Sequence, residues 1–292
     1  MTAPAGFEKK PFSPLNALKG VAIGLGNIVP GVSGGTVAVI TGIYDELVDA
    51  FGNFFSGEGG WKKNLAFLVP VIAGALLGNI ALARAIGWLL AAAPGPANFG
   101  FIGLILGSLP YLLRRSGIRS LRPRYLLLFA AGFPLVLWMG LAPSPAASPP
   151  VTELTLPAAG AVFAAALVSG VATAVPGVSG GFLLLLLGMY STLRHGFGAP
   201  DLRLILLFTG GTIAGVCLVA KAAAAVLRRF HAGAYALIIG LVAGSAVTLY
   251  PGLSPGRMVW ADIGSLAFGF GLSLFLGTGT GERLSSLRKN DL

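Results

Sequence analysis

Long apolar stretches follow one another along most of this chain. The two longest, Leu65–Ala93 and Leu204–Leu227, each exceed the roughly 20 helical residues that cross a lipid bilayer. Only 10% of the 292 residues are charged, whereas about a quarter are charged in a typical soluble domain. Because so few charges cannot cover a water-facing surface, we predict an all-α polytopic membrane protein.

A six-residue motif occurs twice in the chain. Pro-Gly-Val-Ser-Gly-Gly occupies residues 30–35 and again residues 176–181. Flanking residues match at the same spacing, as with Tyr44 and Tyr190, and a later block matches at a slightly shorter spacing. Collinear matches of this kind indicate a duplication of the whole membrane region.

The duplication predicts two membrane repeats of about five helical segments each. Since proline and glycine interrupt helices, each motif is expected to form the tip of a broken helical hairpin. We expect a re-entrant hairpin, although the sequence also allows one that fully spans the membrane. The predicted divisions are a cytoplasmic tail (1–11), repeat 1 (12–141), an extracytoplasmic linker (142–153), repeat 2 (154–281) and a second cytoplasmic tail (282–292).

The distribution of basic residues predicts the orientation in the membrane. Five arginines fall between residues 114 and 124, so the positive-inside rule places this segment in the cytoplasm. Assigning the other connections in turn puts 15 of the 20 Lys and Arg residues inside, 3 outside and 2 within spans. Both termini are then cytoplasmic and the two repeats have inverted topologies, an arrangement that many secondary transporters use for alternating access.

The two motif tips form the first candidate site. Helix N-termini direct free N–H groups and a positive dipole end at anions, and Ser and Thr hydroxyls add donors. We predict that the tips meet near the bilayer midplane and bind one phosphate group; the alternative is a glycine-rich helix crossing that binds nothing. The candidate substrate-binding residues are Pro30, Gly31, Ser33, Gly34, Gly35 and Thr36, with Pro176, Gly177, Ser179, Gly180 and Gly181.

Charged residues supply the remaining candidates. Arg84 and Lys221 are each the sole basic residue of a long apolar span, at equivalent repeat positions. They either snorkel to the interface or attract an anion, one at each leaflet. Asp45 and Glu46 follow the first tip and are candidates for coupling to H⁺ or Na⁺, the alternative being solvated charges at the cytoplasmic interface. No cofactor and no metal site are expected.

The motif and its surroundings resemble a known family. Residues 26–36 with Gly42-Ile43-Tyr44, and the second motif with Gly188-Met189-Tyr190, are similar to the bacterial polyprenyl-phosphate translocase family of PopT type. The likeness covers roughly Leu15 to Leu276. It implies a multi-pass protein of the bacterial inner membrane that returns undecaprenyl phosphate inward for reuse in cell-wall biogenesis. Residues 30–36 and 176–181 are the positions carried over from the family.

We therefore expect a flippase for undecaprenyl phosphate whose partners are this lipid and the bilayer, without nucleic acid. The sequence leaves transport direction, ion coupling and a homo-oligomer open. One alternative is a secondary transporter or channel for a small soluble anion, which would use the same tips and cations. Another is a membrane-embedded lipid phosphatase, which requires an acid/base or nucleophile constellation. The apolar spans contain no His and no clustered carboxylate pair with a metal-like spacing, so an enzyme is not expected.

Overall fold

The computed structural model describes residues 13–28, 33–54, 60–120, 122–142, 148–198, 201–256 and 258–289. These ranges contain twelve α-helices and no strand, which confirms the all-α prediction. The helices are α1 (Pro14–Ile28), α2 (Gly34–Ile40), α3 (Tyr44–Gly52), α4 (Gly60–Ala92), α5 (Pro94–Ser116), α6 (Pro123–Leu141), α7 (Leu156–Ala174), α8 (Gly180–Leu186), α9 (Tyr190–Gly198), α10 (Leu202–Arg229), α11 (His231–Thr248) and α12 (Met258–Lys289).

Seven of the described helices are long and apolar enough to cross a membrane, namely α4 to α7 and α10 to α12. Large apolar side chains such as Leu76, Leu127, Leu218 and Phe268 are exposed on their outer faces. Such a surface suits lipid and not water. The protein is therefore a multi-pass membrane protein, as the composition predicts.

The described residues of each half contain six helices, one more than the sequence predicts. The difference arises after each tip, where the predicted segment is divided into a helix of seven residues and one of nine. Gly42 and Gly188 lie at the divisions with φ of 71° and 69°. Glycine adopts this left-handed conformation without steric cost, so the chain turns there.

Helices α7 and α10 pack in parallel through close backbone contact. Gly211 lies against Phe163, and Gly215 lies against Leu167, so that a Cβ at either glycine would collide with the facing backbone. Because residue numbers rise together along the two helices, both start at the same end of the bundle. Helices α8 and α9 therefore return the chain to the end at which α7 begins.

The first half repeats this arrangement. Gly74 of α4 lies against Ala17 of α1, and Gly78 lies against Val21, so α1 and α4 also run in parallel. Helices α2 and α3 thus return the chain in the same way. Small residues at such contacts allow the close backbone approach by which membrane helices associate.

Helix α5 of the first half and helix α11 of the second run in opposite directions. Helix α5 and its counterpart α11 are in contact. The Phe99 and Tyr250 rings meet in an edge-to-face contact, with centroids 5.8 Å apart, at the start of α5 and just beyond α11. The ring nitrogen Nε2 of His231 lies 3.0 Å from the carbonyl oxygen of Arg115 at the other end. The two helices are therefore antiparallel.

Candidate functional site

The serine of each motif has an extended, non-helical backbone conformation, and a new helix begins directly after it at Gly34 and at Gly180. Helix α1 is described as far as Ile28, and α7 ends at Ala174, before the second motif. Ser33 and Ser179 act as N-caps, because their hydroxyl oxygens accept hydrogen bonds from the N–H groups of Thr36 and Phe182 at 3.2 and 3.3 Å. The serine of the motif therefore starts both short helices in the same way.

The two motifs are in direct contact. The N–H of Gly177 donates to Ser33 Oγ at 3.0 Å and to Thr36 Oγ1 at 2.8 Å. The Ser33 and Thr36 side chains are buried, and their hydroxyl oxygens lie 3.0 Å apart. A Cβ added to Gly35 would lie 3.1 Å from the nitrogen of Pro176. We call this contact the tip junction; only small residues on the first motif permit it.

The two tips differ in their surroundings. In the second motif, Gly180 packs against Thr173 and Ser169 of its own half. Gly181 is exposed and Ser179 is half-buried, whereas their counterparts in the first motif are buried. The described residues of the first motif are thus enclosed, while the second motif is open on one side.

The other sequence-predicted residues are not all brought to the tip junction. Pro30 and Gly31 lie outside the described residues, as does the side chain of Arg84 on α4. Lys221 is exposed on α10. Its Cα would lie 2.8 Å from a Cβ added to Gly52, which places it beside the C-terminal end of α3.

Asp45 belongs to a buried polar cluster. Arg115 donates from Nε and Nη2 to Asp45 Oδ2 at 3.1 and 3.0 Å. The Tyr235 hydroxyl donates to the same carboxylate, 2.8 Å from Oδ2 and 3.0 Å from Oδ1. Asp45 is only 4% exposed, so it is not the solvated interfacial charge that the sequence also allowed. A guanidinium and a hydroxyl compensate its burial, as a buried charge requires.

A small cavity of about 10 Å³ adjoins this cluster, which is room for about one water molecule. A Cβ added to Gly42 would lie 2.9 Å from the Tyr111 hydroxyl, so glycine at this position leaves the space open. The Tyr44 hydroxyl donates to the carbonyl oxygen of Ala174 at 3.2 Å, which ties the cavity wall to the end of α7. The lining residues are Val39, Gly42, Tyr44, Asp45, Tyr111, Leu112, Arg115 and Tyr235.

Glu46 differs from Asp45 in the hydrogen bonding of its carboxylate group. Its Oε2 is buried and has no hydrogen-bond partner among the described residues. Burial raises the pKa of its carboxyl group, while Arg115 and Lys19 act in the opposite direction. Glu46 lies on α3, outside the seven candidate spans.

The acidic face of α3 meets the basic ends of two long helices. Asp45 pairs with Arg115 in the last turn of α5, and Asp49 pairs with Arg228 in the last turn of α10 at 3.4 Å. The Asn64 side chain near the start of α4 donates to the carbonyl oxygen of Asn53 just after α3. The end of α3, the start of α4 and these arginines therefore share one end of the bundle.

Three residues of the cluster, Tyr111, Arg115 and Tyr235, were not predicted as site residues. Arg115 contributed to the prediction only as one of the loop arginines that set orientation. A local signal existed, because Tyr111 and Arg115 are four residues apart and share one face of α5. Their meeting with Asp45 and Tyr235 depends on the tertiary fold. Within the described ranges, no three His, Cys, Asp or Glu side chains are grouped so that they could hold a metal ion.

Seven helices that are long and apolar enough to cross a membrane, with two helix breaks that contact each other, are features of a polytopic membrane protein, and transporters with discontinuous helices combine both. The model of the VCA0040-like family, described as undecaprenyl phosphate translocase-like, matches residues 23–265. The chain belongs to this family, which confirms the resemblance found in the sequence.

Two curated relatives are similar over most of their length. A polyprenyl-phosphate transporter of Vibrio cholerae is 31% identical over 249 residues, which cover 80% of this chain and 76% of the relative. A polyprenyl-phosphate transporter of Staphylococcus aureus is 32% identical over 281 residues, covering 93% of this chain and 98% of the relative. Both are named as transporters, in agreement with the expectation that this chain is not an enzyme. No solved structure matches the chain significantly.

Proposed function

We propose that this protein moves undecaprenyl phosphate between the leaflets of the bacterial cytoplasmic membrane, with the phosphate group bound at the tip junction. One observation carries the proposal: the Gly177 N–H of the second motif bonds to the Ser33 and Thr36 hydroxyls of the first. Two broken hairpins thus present polar groups at one place. The family description and the names of both relatives supply the substrate class.

The tip junction is closed in the described conformation. Its hydroxyls and the Gly177 N–H satisfy one another, which buried polar groups require. For a phosphate group to bind, the tips must separate. The Gly177 N–H and the two hydroxyls then become donors to phosphate oxygens, and donors to an ionised acceptor form the stronger hydrogen bonds. The prenyl tail can remain in lipid throughout, so only the head group needs this polar route.

The helix directions support alternating access. Because α5 and α11 are antiparallel, and each hairpin returns to the end from which it starts, the two hairpins approach the tip junction from opposite ends of the bundle. Withdrawal of either hairpin would open the head-group site toward one leaflet. With α1 and α7 as re-entrant arms, although α7 is itself long enough to span, α4, α5, α6, α10, α11 and α12 would make six crossings. Both termini would then lie on the same side of the membrane, the side that the positive-inside rule assigns to the cytoplasm.

The charged candidates take supporting roles in this proposal. Arg84 and Lys221 would attract the head group, one at each leaflet, and the exposure of Lys221 suits that role. Of the two acids, Glu46 is the candidate for coupling to H⁺ or Na⁺, because one of its carboxylate oxygens lacks a hydrogen bond among the described residues. Asp45 is already held by Arg115 and Tyr235.

Reconstitution into liposomes tests this function. Wild-type protein should move a short-chain polyprenyl phosphate between leaflets. Gly35→Val should abolish this movement, because the Cβ alone would lie 3.1 Å from the Pro176 nitrogen and the larger side chain would keep the tips from closing. Gly160→Val is the matched control, since Gly160 on α7 has no heavy atom within 4 Å of an added Cβ.

Two outcomes would contradict the proposal. Wild-type lipid movement by Gly35→Val would remove the tip junction from the mechanism. Accumulation of a small soluble anion such as inorganic phosphate, without lipid movement, would favour the soluble-anion alternative.

A further inference from the structure

The cavity beside α3 is lined by hydrogen-bond donors that suit an anion, and the Asp45 carboxylate already accepts from them. The Arg115 guanidinium and the Tyr235 hydroxyl both donate to the Asp45 carboxylate. The Tyr111 side chain lines the same cavity. A guanidinium fork combined with hydroxyl donors is the set that recognises phosphate monoesters. The protein supplies its own carboxylate to these donors.

We infer that Arg115 and Tyr235 form a second binding site, for a phosphate monoester group, which Asp45 occupies in the described conformation. The ligand exchanges with the Asp45 carboxylate as the partner of the guanidinium. That this group is the head of a polyprenyl phosphate rests on the proposed function; free inorganic phosphate has the same chemistry and is separated from it below.

The second site lies along the same hairpin as the tip junction. Helix α2 carries Ser33 at its N-terminal end, and Asp45 follows shortly after its C-terminal end. At 1.5 Å per residue, the seven-residue helix separates the two places by about 10 Å. The Tyr44 hydroxyl, adjacent in sequence to Asp45, bonds to Ala174 just before the second motif. A head group that leaves the tip junction therefore has Arg115 as a nearby basic group.

The contacts of the tip junction and the pairing of Asp45 with Arg115 involve the same segment. Ser33, Thr36 and Asp45 all belong to the α2–α3 hairpin, whereas Arg115 is on α5 and Tyr235 on α11. A shift of the hairpin that breaks its bonds to Gly177 also moves the Asp45 carboxylate relative to the guanidinium. Because the Arg115 guanidinium stays protonated, the N–H groups that it donates to Asp45 can be taken by a phosphate oxygen when the carboxylate moves away.

The second half of the chain has no equivalent charges. Ser191 and Thr192 stand at the positions of Asp45 and Glu46. The buried Thr192 hydroxyl accepts a hydrogen bond from the N–H of Val151 at 3.1 Å, which ties a loop and involves no cation. The inferred site thus belongs to one side of the protein, the side that the loop arginines assign to the cytoplasm.

Ligand binding to the purified full-length protein tests the inference. Farnesyl phosphate, farnesol and inorganic phosphate are titrated separately by calorimetry in lipid nanodiscs. Arg115→Gln should weaken farnesyl phosphate binding about tenfold or more, because charge-assisted hydrogen bonds are lost. Arg114→Gln is the matched control with the same change of charge. Arg114 is the preceding residue of α5 and is exposed, so its loss should leave binding unchanged.

Asp45→Asn gives the result that a purely structural ion pair would not give. The amide has nearly the shape of the carboxylate but no charge, so it competes less for the guanidinium. Farnesyl phosphate should therefore bind several-fold more tightly to Asp45→Asn than to wild type. If Asp45→Asn weakens binding as Arg115→Gln does, Asp45 holds the arginine in place and the inference is wrong.

The conservative variant Arg115→Lys separates the loss of a binding site from the loss of folded protein. Arg115→Lys keeps the positive charge and loses the planar fork, so farnesyl phosphate binding intermediate between wild type and Arg115→Gln is expected. Equal weakening by Arg114→Gln and Arg115→Gln, or wild-type binding by Arg115→Lys, would overturn the site.

The three ligands separate this inference from the proposed function. Wild-type protein that binds and moves lipid phosphate without sensitivity to Arg115→Gln contradicts only the second site. Wild-type protein that binds no farnesyl phosphate contradicts the proposed function as well. Inorganic phosphate that binds as tightly as farnesyl phosphate, and depends on Arg115, supports the phosphate site and makes the free anion its ligand.

Discussion

The hydroxyl of Tyr235 offers a measurable test of the buried cluster. Tyr235 is 3% exposed, and its hydroxyl donates to a carboxylate that is itself 4% exposed. A hydrogen bond to a charged group contributes about 1.5–3 kcal/mol. Tyr235→Phe retains the ring and its packing, so the loss of this bond should account for most of the change in the free energy of unfolding.

Equilibrium unfolding of the detergent-solubilised protein in denaturant measures the change through the midpoint and slope of the transition. Tyr250→Phe is the matched control, because Tyr250 is exposed and its edge-to-face ring contact survives the substitution; its effect should stay within about 0.5 kcal/mol. In an Asp45→Asn background the effect of Tyr235→Phe should fall to about 0.5–1.5 kcal/mol, since the acceptor is then neutral. An effect of Tyr235→Phe no larger than that of Tyr250→Phe would refute the assigned hydrogen bond.

Two further predictions concern α3. Gly52→Val should detach α3 from α10 and lower the unfolding midpoint, because an added Cβ would lie 2.7 Å from the Ala220 carbonyl oxygen; Gly87→Val on α4, which has open space, should not lower it comparably. Burial raises the pKa of the Glu46 carboxyl above its ordinary 4.5, so stability falls as pH rises through the folded-state pKa. Glu46→Gln should therefore raise the free energy of unfolding at about pH 8 and give no gain at about pH 4; an equal gain at both pH values would contradict this.

The features that could be predicted from the sequence depend on local pattern. Apolar stretches predict the long helices because lipid replaces water around them. The breaks before α2 and α8 follow from the proline and glycines of the two motifs, whereas Ser33 and Ser179, predicted as donors to phosphate, act as N-caps of these helices. The duplication also led to the expectation that the two motifs meet, which the bonds to Gly177 now show.

The features that could not be predicted depend on distant contacts. Arg115 and Tyr235 are 70 and 190 residues from Asp45 along the chain, and no local periodicity joins them. The turns at Gly42 and Gly188 were visible only as matched glycines of the repeat. Their positive φ values divide each predicted segment, a conformation that glycine permits but does not require.

The central claim is that the two tips separate to bind one phosphate group between them. An experimental structure of the protein with a bound polyprenyl phosphate measures this most directly. The account predicts a phosphate oxygen within about 3.2 Å of the Gly177 nitrogen, with the Ser33 and Thr36 hydroxyls turned from Gly177 to the phosphate. A head group bound away from both motifs, with the bonds from Gly177 to Ser33 and Thr36 still intact, would contradict it.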